Sequence, residues 1–295
     1  MKIENINRAQ LEPALKGDTV DYLYHFGISS NDKILNSMKD LKAIVVAGSA
    51  DRIKRMAETW SEQNNKSKIL KLPKEERFSV YYTGGVLFSS HGMGMPSISI
   101  AVQELMKLVY FVKKGNLTEM DQVFWCRVGT SGGVGLAPGS VVISTEALLP
   151  DLKPYRLFVT GKEHFFESKF PEKCIEAIIK ANVKEKINIV KGKTIGANSF
   201  YIEQNRIDGA ISLCTEKEKM DWLKKASEFG VKNIEMETPL MAGFLNHWGF
   251  SNFAAICCTL LNRLNGDQIT STHEELERYS VNAETVLWNY LKLLK

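Results

Sequence analysis

The stretch Val123-Phe124-Trp125-Cys126-Arg127-Val128-Gly129-Thr130-Ser131-Gly132-Gly133 joins a short apolar run to a cluster of glycines. The run is too short for a helix and rich in β-branched and aromatic residues, so it reads as a strand with neighbours on both faces. Arg127 stands near its end, where a guanidinium is costly to desolvate unless an anion meets it. The glycines after Val128 suggest a turn whose N–H groups, with the Thr130 and Ser131 hydroxyls, form an oxyanion cradle that phosphate fits. An arginine paired with a structural carboxylate beside an ordinary Gly-rich turn reads equally well from this stretch alone.

Outward from this strand, further buried strands are expected at Ala43 to Ala47, Val86 to Ser90, Val141 to Ser144 and Phe253 to Leu261. Helical spacing recurs from Ile98 to Tyr110, Met236 to Trp248 and Glu275 to Leu294. Strands apolar on both faces, alternating with helices, give an α/β domain with a central sheet covered by helices. Asn188 to Ile195 is expected to extend that sheet as an edge pairing. Residues 1–40 read as an N-terminal arm that packs on the core or on a partner subunit, because Tyr22, Tyr24 and Phe26 are aromatic for a free tail; residues 41–295 read as one catalytic domain.

The balance of 38 basic against 34 acidic residues leaves +4, with no basic stripe, which excludes a nucleic-acid surface and suits an anionic small substrate. Five scattered cysteines outline no disulfide framework, and neither a secretory signal nor a segment of membrane-span length is visible. A reducing cytoplasm is the expected compartment. His273-Glu274 lacks the second histidine of a zinc helix, no paired-cysteine spacing occurs, and no nucleophile elbow is present, so neither a metal nor another cofactor is expected.

Gly48-Ser49-Ala50-Asp51-Arg52 follows the first core strand and opens a helix, a second anion-facing loop at a strand's carboxyl end. A helix cap by Ser49 or Asp51, with Arg52 on the surface, is the plainer reading of that segment alone. His91-Gly92-Met93-Gly94 lacks the third glycine of a dinucleotide fingerprint, so its glycines serve a turn or a close backbone approach. Phe200-Tyr201-Ile202-Glu203-Gln204-Asn205-Arg206 sets an aromatic, an amide and a guanidinium in one segment, the set needed to stack and read a flat heterocycle. Gln204 matches the N3–H and a carbonyl of uracil, and Arg206, with donors only, suits the other carbonyl. A polar loop anchored by Phe200 is the competing reading. Glu235-Met236-Glu237 is expected at the start of a helix, where a carboxylate accepts sugar hydroxyls or simply favours the helix dipole.

In order and spacing, these segments, with Leu261-Asn262-Arg263, resemble the uridine phosphorylases, in the animal-type branch of the nucleoside phosphorylase superfamily. The resemblance implies a single-domain nucleoside phosphorylase fold, a central mixed sheet ringed by helices, and a homodimer whose active sites are shared across the interface. It implies that Gly48, Arg52, Arg127 and Thr130 hold phosphate, with Arg77 reaching the neighbouring subunit's phosphate and His25 its ribose. Thr130, Phe200, Gln204 and Arg206 would hold the base, and Met236 and Glu237 the ribose. Arg127, Gln204, Arg206 and Glu237 would then carry catalysis. The implied activity is phosphorolysis of uridine to uracil and ribose 1-phosphate in pyrimidine salvage, with phosphate as co-substrate. A nucleoside-binding paralogue without turnover, or a phosphorylase or nucleosidase with another base preference, is the alternative. Two departures stand out: Ala47-Gly48-Ser49-Ala50 replaces a proline-containing phosphate loop, and Ile202-Glu203 fills the place of a glycine before the glutamine.

Overall fold

In the computed structural model, which describes residues 20–72 and 77–294, the chain divides into two compact units. The first comprises Met1–Cys126, Phe244–Phe253 and Leu294–Lys295, the second Arg127–Gly243 and Ala254–Leu293. Residues 1–19 of the expected arm lie outside the described residues.

The first unit contains β1 (Tyr22–Leu23), β2 (Ile28–Ser29), β3 (Ala43–Ala47), α1 (Ala50–Gln63), β4 (Leu70–Lys71), β5 (Val80–Thr83), β6 (Val86–Ser90), α2 (Met95–Val112) and α3 (Leu117–Gln122). β3 and β6 pair in parallel from Ala43↔Val86 to Ala47↔Ser90, and every residue of both is buried, as their unbroken apolar runs require. β5 pairs antiparallel with β6, and β4 with β5. α1 turns Ile53, Met56, Ala57 and Trp60 inward onto β3, β5 and β6. Each of the larger of these side chains is worth about 1.5–3 kcal/mol on burial. α2 is long and apolar enough to cross a membrane by length and composition, against expectation. Half of it is buried within the protein, and its Glu104 and Lys107 pair with His25 and Asp21, so it is a core helix.

β7 (Phe124–Gly133) runs from the first unit into the second. The second unit adds β8 (Val141–Leu148), β9 (Tyr155–Val159), β10 (Lys162–Phe166), α4 (Glu172–Ala181), β11 (Ile189–Gly196), α5 (Glu216–Glu228), β12 (Val231–Glu235), α6 (Thr238–Trp248), β13 (Phe253–Asn262) and α7 (His273–Leu291), of which α6 and β13 also reach into the first. β11 pairs in parallel with both β8 and β12, β13 pairs antiparallel with β8, and β12 meets the end of β7 antiparallel. The sheet is therefore mixed, as expected. β9 and β10 form a separate hairpin.

Three further expectations change. Gly129 to Gly133 make no turn; β7 continues through them. The glycines are needed for close approach: a Cβ on Gly132 would lie 3.0 Å from Arg263 Cγ, and one on Gly133 3.0 Å from Thr259 Cγ2. β11 is interior, with partners on both sides. Its lysines disguise this, because Lys191 reaches Glu172 and Glu176, and Lys193 reaches Glu146, with their charged tips while the strand pairs beneath. The last helix of the site starts at Thr238, with Pro239 in its first turn, and Glu235 ends β12.

Candidate active site

Arg127 is 4% exposed and lies between two carboxylates. Its Nη2 is 3.0 Å from Glu235 Oε2 and donates a very short hydrogen bond to Glu237 Oε2, while Nη1 donates to Cys257 Sγ at 2.9 Å. The strand makes room for this fold of the side chain: a Cβ on Gly129 would stand 2.5 Å from Arg127 Nη1. Glu235 also accepts from the N–H groups of Glu237 at 2.9 Å and Thr238 at 3.0 Å, which caps the exposed donors at the start of α6. Burial alone would lower the Arg127 pKa, but Glu235, Cys257 and Glu237 together hold it above the usual value. Burial, aided by the nearby Glu237 charge, pushes Glu235 up to about 7 despite Arg127. Burial also pushes the Cys257 thiol up to about 11, so it stays protonated and inert. In this structure Arg127 is met by two protein carboxylates.

Thr130 is partly exposed on β7. Ser131 is buried and its hydroxyl donates to the Cys258 carbonyl at 3.1 Å and accepts from Asn233 at 3.0 Å, so it supplies no ligand donor. Met236 is partly buried and Glu237 buried.

The segment from Phe200 to Arg206 forms successive turns, closed where Glu203 Oε2 accepts the N–H of Asn198 at 2.5 Å. Glu203 thus serves the loop's own backbone. Phe200 is exposed, and its ring centre lies 4.5 Å from the Arg206 guanidinium. Arg206 donates from Nε to Asp208 at 2.9 Å and from Nη2 to Asp208 at 2.5 Å and to the Asp267 carbonyl at 2.8 Å. Its Nη1 makes no hydrogen bond among the described residues. Gln204 is 4% exposed, and Arg263 donates to its main-chain oxygen at 2.8 Å and its side-chain oxygen at 3.3 Å. Arg263, Asp267 and Lys219 were not among the expected site residues. The four-residue spacing of Arg263 and Asp267 was the signal available; Lys219 comes from a distant helix.

In the first unit, Ser49 caps α1 by accepting from Arg52 N–H at 3.3 Å, as the plainer reading of that loop holds. A Cβ on Gly48 would stand 2.9 Å from the Gly92 carbonyl, so the two loops at the carboxyl ends of β3 and β6 touch, and Gly48 is needed for contact. Gly92 and Gly94 have φ of +71° and +83° and turn the chain into α2. His25 is held by Glu104: Nδ1 is 2.6 Å from Oε1, and its N–H donates to Oε2 at 3.0 Å. Arg77 is exposed, and the next residue, Phe78, packs its ring 6.2 Å from His25 and 5.8 Å from Phe26. The two residues expected to serve a neighbouring subunit thus stand on adjoining segments.

A family model described as the phosphorylase superfamily matches residues 42–292. The chain belongs to that superfamily. The match spans residues of both units. This phosphorylase is 35% identical to the uridine and thymidine phosphorylase of Caenorhabditis elegans over 93% of this chain and 92% of that one. It is 31% identical to the inactive uridine phosphorylase B of Schistosoma mansoni, over 92% of each. Uridine phosphorylase from Schistosoma mansoni in complex with thymidine matches with a TM-score of 0.88 at 30% identity, covering 96% of this chain and 97% of that one. The nucleoside phosphorylase fold expected from the motifs is the fold of this phosphorylase.

Proposed function

We propose that this phosphorylase cleaves uridine reversibly with inorganic phosphate, giving uracil and ribose 1-phosphate. The bond from the anomeric carbon to the base nitrogen breaks with its electron pair leaving on uracil, a phosphate oxygen bonds to that carbon, and the departing base takes up the proton that the hydrogen phosphate gives up, directly or through water. Positive charge develops on the sugar and negative charge on the base. The observation that carries the reading is the pair of clusters along β7: two carboxylates around Arg127 beside Gly129, and the buried Arg263 guanidinium beside Gly132 donating to Gln204. Carboxylates suit the sugar cation and its hydroxyls, and guanidinium donors suit a departing base.

In this reading Met236 and Glu237 hold the ribose, and Thr130, Phe200, Gln204 and Arg206 the base. Gly48, Arg52, Arg127 and Thr130 hold phosphate, with Arg127 shared between phosphate and Glu237. Arg77 and His25 serve the neighbouring subunit of a homodimer, in keeping with their adjoining positions. The arm before residue 41 contributes His25, and its described part packs on α2 through Asp21–Lys107 and His25–Glu104. Five free cysteines suit a reducing cytoplasm.

The experiment is incubation of the pure protein with uridine, with and without phosphate, following uracil and ribose 1-phosphate. Phosphate-dependent release of both supports the reading; release of uracil without phosphate identifies a nucleosidase. Uridine binding without turnover identifies a silent paralogue; one relative is named as an inactive uridine phosphorylase, although Arg127, Gln204, Arg206 and Glu237 are all present here. Thymidine is the second substrate to assay, because one relative's name and one neighbour's ligand include it.

A further inference from the structure

Asp267 and Lys219 stand outside every role assigned so far, yet they are almost wholly enclosed: Asp267 is 6% exposed and Lys219 2%, beside Arg263 at 0%. Lys219 Nζ on α5 lies 3.2 Å from Asp267 Oδ2, and Arg263 Nε lies 2.8 Å from Asp267 Oδ1. The Asp267 Oδ2 also accepts the Ile207 N–H at 3.3 Å, and its carbonyl takes Arg206 Nη2 at 2.8 Å. One carboxylate thus ties together α5, the end of β13 and the loop that carries Gln204 and Arg206. Burying three ionised groups is a poor way to add stability, since an apolar trio of the same volume does as well or better. What the arrangement does provide is a fixed guanidinium.

With Nε held by Asp267, Arg263 aims Nη2 at the Gln204 carbonyl, 2.8 Å away, and Nη1 at the Gln204 side-chain oxygen, 3.3 Å away. A guanidinium has donors only, so the atom facing Nη1 must be the amide oxygen. The amide nitrogen is then turned away from Arg263, and it donates to no described residue. This orientation matters because a glutamine amide rotated by half a turn exchanges its donor and acceptor. Pinned, it offers N–H groups to a carbonyl and the second lone pair of its oxygen to an adjacent N–H, the edge of uracil. Cytosine presents an unprotonated ring nitrogen and an amino group at that edge.

We propose that Asp267, braced by Lys219, is a positioning residue for base specificity: through Arg263 it locks the Gln204 amide in the orientation that accepts uracil and rejects cytosine. The inference rests on the uridine reading of the same site.

The test compares Asp267→Asn, which keeps the shape and removes the charge, with wild type. The expected result is a rise of about tenfold in KM for uridine and in the dissociation constant for uracil measured by calorimetry, the loss of roughly one well-made contact. KM for phosphate stays the same, and the ratio of kcat/KM for uridine over cytidine falls. A purely structural ion cluster would lower the melting temperature and the active fraction while leaving the uridine KM and that ratio unmoved, which overturns the inference. If Asp267→Asn fails to fold, Lys219→Met carries the same test with a smaller rise, about threefold, in the uridine KM alone; an unchanged uridine KM in that variant overturns it. A wild-type protein that neither binds uracil nor cleaves uridine overturns the uridine reading and this inference together. Wild-type turnover with an unmoved uridine KM in the variant overturns the inference alone.

Discussion

Arg127 and Arg263 are both buried guanidinium groups laid against glycines of β7, one near Gly129 and the other near Gly132, yet their surroundings carry opposite charge. Arg127 faces two carboxylates, so its cluster holds a surplus of negative charge when all three groups are ionised. Arg263 shares the single carboxylate of Asp267 with Lys219, and the adjoining Arg206–Asp208 pair is neutral, so its cluster holds a surplus of positive charge. Burial in a poorly polarisable interior makes such imbalances expensive unless a ligand or a proton balances them. In the first cluster Glu235, pushed up to about 7, supplies the proton. The Asp267 carboxyl stays below the usual range although burial raises it, because Arg263, the Ile207 N–H and Lys219 more than compensate. Carboxylates gathered at one place on the strand and guanidinium donors at another suit a reaction that splits a neutral nucleoside into a cationic sugar and an anionic base.

The sharpest way to break this comparison is Arg127→Ala. It leaves Glu235 and Glu237 buried with no counter-charge, so a stability loss of about 3–5 kcal/mol is expected, measured by urea unfolding. In the same variant kcat/KM for phosphate is expected to fall by about 10²–10³-fold, and an unchanged value would remove Arg127 from phosphate recognition. Next comes Glu237→Gln, which removes the charge of the carboxylate proposed to meet the sugar. It is expected to lower kcat/KM for uridine by about 10–100-fold while KM for phosphate holds, as steady-state kinetics would read.

A paired experiment on the strand follows. Gly129→Ala pushes on Arg127 Nη1 and Gly132→Ala on Arg263 Cγ, where a Cβ would stand 2.5 Å and 3.0 Å away. Each is expected to cost about 1–3 kcal/mol of stability through overpacking. The first should raise KM for phosphate and the second KM for uridine; a rise in the same constant for both would show that the two clusters do not act separately.

The smallest expected effect is on pH dependence. The carboxyl of Glu235 is raised in the folded protein from its ordinary 4.5 to about 7, first by burial and then by Glu237. The folded state therefore holds a proton that the unfolded chain has released, and stability falls as pH rises from about 4.5 to about 7. Glu235→Gln cannot titrate, so its unfolding midpoint in urea should lose that downward slope, a difference of a few kcal/mol at most across the window. A slope unchanged in the variant would mean that another group titrates.

Much of this molecule is legible from residue order. Ala43–Ala47 and Val86–Ser90 are apolar throughout because both faces are covered, and the Ile98-to-Tyr110 spacing falls within α2. Ser49 announces the start of α1 with its own hydroxyl. Local signals fail where a residue's surroundings come from far along the chain. The glycines after Val128 have the composition of a turn, but they lie in β7, where Arg263 and Thr259, from β13 and just beyond it, come close enough to leave little room for a Cβ at Gly132 and Gly133. β11 looks like an edge because Lys191 and Lys193 interrupt its apolar pattern, yet carboxylates on α4 and β8 take up their charges.

Side-chain chemistry by itself establishes that Arg127 requires an anion, that Gln204 and Arg206 have the donors and acceptors to read a uracil edge, and that a large α/β core can be built. Only the tertiary structure decides which anion meets Arg127, which way the Gln204 amide faces, and that Asp267 and Lys219 take part at all. The reason is that hydrogen-bond partners and burial depend on distance in space, and Arg127 and Glu237, or Lys219 and Asp267, are brought together by strand pairing and helix packing that no local pattern in the chain records.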